Sequence, residues 1–316
     1  NGTLMSLMDL YECCELCPRM CQVDRTRGEH GQCGEGATVR LSTICPHFGE
    51  EPSFSGTRGS GTIFFSGCAC GCFFCQNHQI SLAHSGRTLS PAELARDAKA
   101  LLGKGVHNLN LVTADHFLPH VVQLCRALRR NGISVPVLFN CSGYARPEMI
   151  SLLAQEAIDV FLPDFKFADA ALAEECMGDS SYPELALAAI ETMYEHKGPL
   201  KPWDPSGQIP ADSGVLVRHL VLPGRIDNSF AVLAAVHEKL GPDLPLSIMS
   251  QFRPTPSCAE RGVFRRPVTK EEYEQVCDFA EILGFTHVYT QPEFGDRAFL
   301  PDFDREEPFR GNARDH

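Results

Sequence analysis

Three cysteines, Cys68, Cys72 and Cys75, follow the apolar run Thr62-Ile63-Phe64-Phe65-Ser66. Three thiolates can hold three irons of a [4Fe–4S] cluster and leave the fourth iron open to bind and reduce a small molecule. A fourth protein ligand would close the cluster, as in an electron-carrying ferredoxin. The competing reading is a set of buried free thiols, because cysteine is often a small core residue. The motif sits on a glycine-punctuated loop directly after a strand, where ligand-binding loops belong in an α/β fold, and this favours the cluster. Cys70 lies inside the same loop and is treated as a bystander.

A second constellation stands near the amino terminus: Cys14, Cys17 and Cys21, with Cys33 eleven residues further on. Four thiolates in so short a segment can close a tetrahedral shell around Zn²⁺ or ligate a second cluster, stabilising a region with little apolar core. C-x2-C pairs also serve as redox dithiols, so structural zinc, an auxiliary cluster and free or redox thiols all stay open. Cys13 and Cys45 are candidate substitutes in the shell.

Polar residues with a task are expected at the carboxyl ends of parallel strands. The candidates are Thr113-Ala114-Asp115-His116, Asn140-Cys141-Ser142-Gly143, Pro163-Asp164-Phe165-Lys166 and Arg218-His219. Period-two alternation puts Asp164 and Lys166 on the same side of their strand. Together they offer an acceptor for ribose hydroxyls or an ammonium and a cation for a carboxylate; a salt-bridged rim is the structural alternative. Arg218, inside an apolar strand, needs an anion or acid partner, which a bound carboxylate of substrate or cofactor would supply. His219 faces the other way and reads as a packing histidine.

These residues need a scaffold. With 316 residues, 43% of them hydrophobic, the chain can bury one large α/β domain with an appendage. After the glycine-rich connector 56–61, strand-like runs at 62–66, 108–113, 135–140, 159–163, 215–222, 246–250 and 286–290 alternate with helix-like ones near 118–131, 147–156, 183–196, 228–240 and 269–284. A further helix begins at Ser90-Pro91-Ala92-Glu93, with serine as cap, proline at the first turn and glutamate three residues after the cap. The expected fold is α/β, a partial (β/α)6 TIM-like barrel over 56–295. It is preceded by a cysteine-rich metal-binding segment, 1–55, and followed by a tail, 296–316.

Net charge is −12, which weighs against nucleic acid as a partner. No apolar run approaches the roughly 20 residues of a membrane span, and Asn1 to Leu10 lack a basic-then-apolar signal. Fifteen cysteines, an odd number in close clusters, favour metal ligation in a reducing compartment over disulfides. A cytoplasmic protein without membrane association, in an anaerobic host, is the expectation.

The C-x3-C-x2-C pattern in Gly67-Cys68-Ala69-Cys70-Gly71-Cys72-Phe73-Phe74-Cys75 resembles the radical S-adenosylmethionine (radical SAM) superfamily. From about Tyr11 to Phe303 the chain is similar to a group described as related to the pyruvate formate-lyase-activating enzyme. That similarity rests on Cys14-Glu15-Leu16-Cys17-Pro18-Arg19, His47-Phe48-Gly49-Glu50-Glu51-Pro52, Ser60 to Cys68, Cys75-Gln76-Asn77, Asn110 to Thr113, Leu162 to Lys166 and Val217 to Gly224. The resemblance implies that the open iron binds the amino and carboxylate groups of S-adenosylmethionine, which one electron cleaves to methionine and a 5′-deoxyadenosyl radical that abstracts hydrogen from a substrate. It implies contacts to that cofactor from Asp164, Lys166 and Arg218, from Asn140 and Ser142 on the preceding strand, and from Phe74 near the adenine. Activating enzymes carry Gly-Gly-Glu where this chain has Thr113-Ala114-Asp115, so Thr113 or Asp115 would replace the contact to the amino group. It also implies an electron donor such as flavodoxin or ferredoxin and a protein, peptide or small-molecule substrate, with installation of a glycyl radical on a partner enzyme as the narrowest version. The reading from another class is an iron–sulfur electron-transfer or metal-binding protein without radical chemistry, which has no need of Asp164, Lys166 and Arg218 at strand ends.

Overall fold

The protein is described from a computed structural model covering residues 6–291, 301–305 and 307–309. Its strands are β1 (Val39–His47), β2 (Ser60–Phe65), β3 (Arg87–Leu89), β4 (Leu109–Val112), β5 (Val137–Cys141), β6 (Val160–Pro163), β7 (Gly214–Val215), β8 (Val217–Leu220), β9 (Leu246–Met249) and β10 (Val288–Thr290). Its α-helices are α1 (Pro52–Ser55), α2 (His78–Ser81), α3 (Pro91–Leu102), α4 (Leu118–Arg130), α5 (Pro147–Glu156), α6 (Ala170–Met177), α7 (Tyr182–Lys197), α8 (Ile226–Leu240), α9 (Pro256–Arg261) and α10 (Lys270–Ile282).

Strands β2, β4, β5, β6 and β7 pair in parallel in that order, and β8, β9 and β10 form a second parallel set. A bridge between Asp164 and Arg218 joins the two sets into one open barrel. All residues of β2, β4, β6 and β9 are buried, as expected of parallel strands covered on both faces. Ser90 and Glu93 close a capping box on α3, which turns Leu94, Ala98 and Leu101 into the core.

The structure departs from the sequence expectation in three places. First, the stretch 56–61 is not all connector: β2 begins at Ser60, and β1 pairs antiparallel with it, so the sheet continues back into the segment 1–55. Second, the single strand expected over 215–222 is two, because the chain changes sheets at Leu216: β7 pairs with β6 and β8 with β9. Third, β3 and the short helices α1, α2, α6 and α9 carry too few residues to show a period. Helix α1 packs Phe54, fully buried, against Leu138, Val160, Leu162, Leu200 and Leu216. Of the tail 296–316, residues 296–300, 306 and 310–316 lie outside the described residues. In the described part, Phe303 packs on Phe64 with ring centroids 5.3 Å apart, and Phe309 on His47 at 4.2 Å.

The cysteine-rich segment docks on the barrel. Arg19 donates to the carbonyls of Ala69 at 3.0 Å, Met177 at 2.7 Å and Gly178 at 3.0 Å. At Gly67, φ is +81° and a Cβ would stand 2.8 Å from the Cys33 carbonyl and 2.5 Å from the Glu35 side chain. Only glycine lets the two loops approach so closely.

Phe54→Ala would empty a site with no exposed neighbour to collapse into it. It is expected to lower unfolding free energy by about 3–5 kcal/mol, read by denaturant titration; a loss under about 1 kcal/mol would show that α1 does not plug the barrel.

Candidate active site

One cavity of about 650 Å³ lies within the barrel. Cys68, Cys72 and Cys75 line it together with Phe74, Thr113, Asn140, Ser142, Asp164, Lys166 and Arg218. Of the residues nominated from sequence for this site, Asp115 alone stands behind the wall.

The cysteine loop leaves β2 and is held on an aromatic floor. The Phe74 ring meets Phe73, Phe167, Phe252 and Phe264 edge-on, at centroid separations of 5.6, 6.2, 6.0 and 5.7 Å. Contact with Cys70 and then burial hold the Cys68 thiol well above its ordinary pKa, and burial raises that of Cys75, whose sulfur accepts from the Ser81 hydroxyl at 3.2 Å. Cys70 is a buried neighbour of both Cys68 and Cys72 and also lines the cavity, a placement that its treatment as a bystander did not anticipate. Grouped sulfur donors beside the Lys166 ammonium, in an aromatic surround, fit an anionic iron–sulfur cluster.

Asp164 and Lys166 follow β6, and the Lys166 ammonium is ion-paired with the Asp164 carboxylate. Burial pushes Lys166 down, but Asp164 and then Tyr182 outweigh it and keep the amine protonated. The Tyr182 hydroxyl fixes the turn, donating to the Ser142 carbonyl at 2.9 Å and accepting from the Lys166 amide at 2.9 Å. Gly143, at φ +73°, passes where a Cβ would stand 2.3 Å from the Asp164 carbonyl, so the ends of β5 and β6 meet through glycine. Thr113 also has a left-handed backbone, φ +56°, uncommon for a β-branched residue and typical of functional turns. The turn that follows takes Asp115 back into the core, where burial raises its carboxyl to about 7 and one oxygen has no partner among the described residues.

Arg218 finds its acid partner within the chain. Its guanidinium is ion-paired with Glu50 and Glu51, all three side chains being almost fully buried. Burial pushes Glu50 up, yet Arg218 and then His47 hold its carboxyl below the ordinary value, with Asn110 donating to it at 3.1 Å. A bound carboxylate is therefore not needed to neutralise Arg218. Glu50, Glu51 and His47 also line the cavity. Sequence reasoning gave them no role, although the run His47-Phe48-Gly49-Glu50-Glu51-Pro52 stood out as a block. His219 packs as expected, bonded to the Phe165 carbonyl at 2.7 Å and to the Ser229 hydroxyl at 2.8 Å.

Cys14, Cys17, Cys21 and Cys33 are electrostatic neighbours: Cys17 senses Cys33, Cys14 and Cys21, and Cys33 senses Arg25 and Cys14. Cys13 is exposed and Cys45 sits on β1 against Phe64 and Ile80, so neither substitutes readily in this group. Among the described residues no set of three or more His, Cys, Asp or Glu side chains is arranged to hold one metal ion, and no helix is long and apolar enough to cross a membrane.

The family model of the radical SAM superfamily matches residues 62–233. The chain is 27% identical over 288 residues to the uncharacterized protein MJ0674 of Methanocaldococcus jannaschii, covering 89% of this chain and 78% of that protein. Among solved structures, SuiB of Streptococcus suis bound to S-adenosylmethionine aligns at 11% identity and TM-score 0.49 over 71% of this chain and 48% of SuiB, so this chain spans less than half of SuiB's length. Methylornithine synthase (PylB) aligns at 11% identity and TM-score 0.46, over 79% of this chain and 74% of PylB.

Removing the guanidinium in Arg218→Met would leave two carboxylates buried without a cation. A loss of about 3–5 kcal/mol in unfolding free energy is expected, and a near-neutral result would show that water already reaches the pair. For Asp115 the folded-state pKa is raised, so its ionisation favours the unfolded chain between pH 3.8 and about 7. The stability gain of Asp115→Asn over wild type should grow as pH rises through that range and level off above it; a gain independent of pH in urea titrations would contradict the assignment.

Proposed function

The chain belongs to the radical SAM superfamily, and from that premise we propose that it holds S-adenosylmethionine between the Cys68/Cys72/Cys75 loop and the Asp164–Lys166 pair and acts on a small substrate at the Glu50–Glu51–Arg218 end of the same cavity. The observation that carries this reading is that both groups line one continuous cavity of about 650 Å³. The chemistry supplied by the bound [4Fe–4S] cluster and S-adenosylmethionine is one-electron cleavage of the sulfonium to methionine and a hydrogen-abstracting 5′-deoxyadenosyl radical.

The protein's own part is binding, orientation and exclusion of water. Cys68, Cys72 and Cys75 would hold the cluster. Lys166, protonated in its half-buried pair, offers a charge-assisted donor to a carboxylate, and Asp164 an acceptor for an ammonium or for ribose hydroxyls. Asn140 and Ser142 add neutral polar groups at the end of β5. Phe73, Phe74, Phe252 and Phe264 keep the cysteine side dry, which preserves a reactive radical from solvent.

At the far end, two carboxylates against one guanidinium leave one negative charge in excess, which favours a substrate bringing a positive or hydrogen-donating group. Activation of a glycyl radical enzyme is the narrower version of this function. It would require a protein loop to enter the cavity beside Pro301 and Phe309, which line it. A small substrate needs no such entry, and the cavity falls in the size range of small-molecule sites.

Anaerobically reconstituted protein with a strong reductant is expected to form 5′-deoxyadenosine from S-adenosylmethionine, measured by chromatography. Failure with the cluster spectroscopically intact would favour an electron-transfer role instead. Cys72→Ala should abolish the product, because two thiolates do not retain the cluster. Lys166→Met should weaken S-adenosylmethionine binding by roughly tenfold or more, the loss of one charge-assisted hydrogen bond; unchanged affinity in equilibrium titration would remove Lys166 from the site.

A further inference from the structure

Arg25 is 2% exposed, and a guanidinium does not shed its charge in a protein. Its Nη1 donates to the His116 carbonyl at 2.7 Å, its Nη2 and Nε to the Gly36 carbonyl at 2.6 and 3.2 Å, and it lies over the Tyr11 ring at 4.4 Å. Among the described residues no carboxylate comes within ion-pair distance of it. The nearby carboxylate of Glu35 is engaged by Arg40 at 3.2 Å and His84 at 2.8 Å. What meets the guanidinium is sulfur: Nη1 points at Cys14 Sγ, 3.7 Å away.

Carbonyl groups and a ring face solvate a buried cation without neutralising it, and an unneutralised charge costs several kcal/mol. Neutral thiols leave the imbalance unchanged. Metal-bound thiolates remove it, each thiol giving its proton to solvent as it binds.

We propose that Cys14, Cys17, Cys21 and Cys33 hold a second iron–sulfur cluster, of the [4Fe–4S] class, whose negative charge is balanced by Arg25.

The backbone around these residues is shaped to present sulfur. Met20 and Gln22, on either side of Cys21, take left-handed conformations at φ +41° and +56°, and the Gln22 amide bonds the Cys14 carbonyl at 3.0 Å. The Gln32 amide donates to Cys21 Sγ at 3.3 Å, a donor of the kind that stabilises and tunes cluster sulfur. Zinc would need four sulfurs about 2.3 Å from one point, and no three of these side chains are arranged to hold a single ion. The same is true of Cys68, Cys72 and Cys75, whose cluster follows from the superfamily. Ligands spread around a four-iron cube would escape a single-ion geometry in just this way.

The test is metal and sulfide analysis with Mössbauer and electron paramagnetic resonance spectroscopy on the full chain, purified and reconstituted without oxygen. The wild type should hold about eight irons and negligible zinc, and the triple variant C68A/C72A/C75A about four, still as a cube. Adding C17A to the triple variant should remove that remaining iron. About four irons in the wild type, with one zinc or with four alkylatable thiols at these positions, would overturn the proposal even if the variants do not fold. So would iron that survives C17A. In the triple variant, Arg25→Met should lower the midpoint potential of the remaining cluster or lose the cluster, whereas Arg25→Lys retains it at a potential near that of the parent. An unchanged potential in Arg25→Met would remove Arg25 as the counter-charge.

Discussion

A guanidinium gripped by two carboxylates in the interior of a barrel is the constraint on which the rest of this structure rests. Arg218 lies in the first strand of the second parallel set, while Glu50 and Glu51 arrive from a segment 168 and 167 residues earlier. None of the three can be left unpaired where it lies, since breaking a buried pair strands the remaining charge. The pairing therefore pins the 47–55 segment across the barrel, with Phe54 sealing one side and Glu50 reaching Asn110 on β4. It also sets the wall of the cavity that Lys166 and the three cysteines share.

The parts of this arrangement that were legible in the sequence are those governed by local periodicity. Strands β2, β4, β6 and β9, and β5 apart from Asn140, are short runs buried on both faces, and their ends gave the polar residues that line the cavity. Alternation put Asp164 and Lys166 on one side of their strand; the structure ends β6 at Pro163 and joins the two side chains in an ion pair, the arrangement read from sequence as the structural alternative. Arg218 announced that it needed an acid, but not which one, because no local pattern links it to a Glu-Glu step so far upstream. Strand β1 was missed for a related reason. It is an antiparallel strand, mostly half-buried and irregular between Leu41 and Thr43, so neither an apolar run nor a clean alternation marks it. Asp115 was placed at the site by its position after β4, whereas the left-handed Thr113 and the turn after it send the carboxyl inward.

The cysteine-rich segment shows the same limit from the other side. Its four thiols were visible as a set, yet spacing is common to zinc, iron–sulfur and redox sites and does not choose among them. The residue that bears on free thiol against metal-bound thiolate is Arg25, which in sequence is one of 28 lysines and arginines. Folding makes it one of two buried arginines among the described residues, the other being Arg218.

Those two arginines form an internal comparison. Both are removed from water by the same chain, and the cost of doing so is set by the same electrostatics. Around Arg218 the fold brings two carboxylates from a distant segment, more anion than one guanidinium requires. Around Arg25 it brings carbonyls, aromatic rings and sulfur, while the carboxylate that could have served, Glu35, is turned toward Arg40 and His84. A fold that neutralises one buried cation so fully has the means to neutralise the other. Sulfur in the place of carboxylate is an adequate answer only when the sulfur is anionic, which is what the proposed cluster would supply.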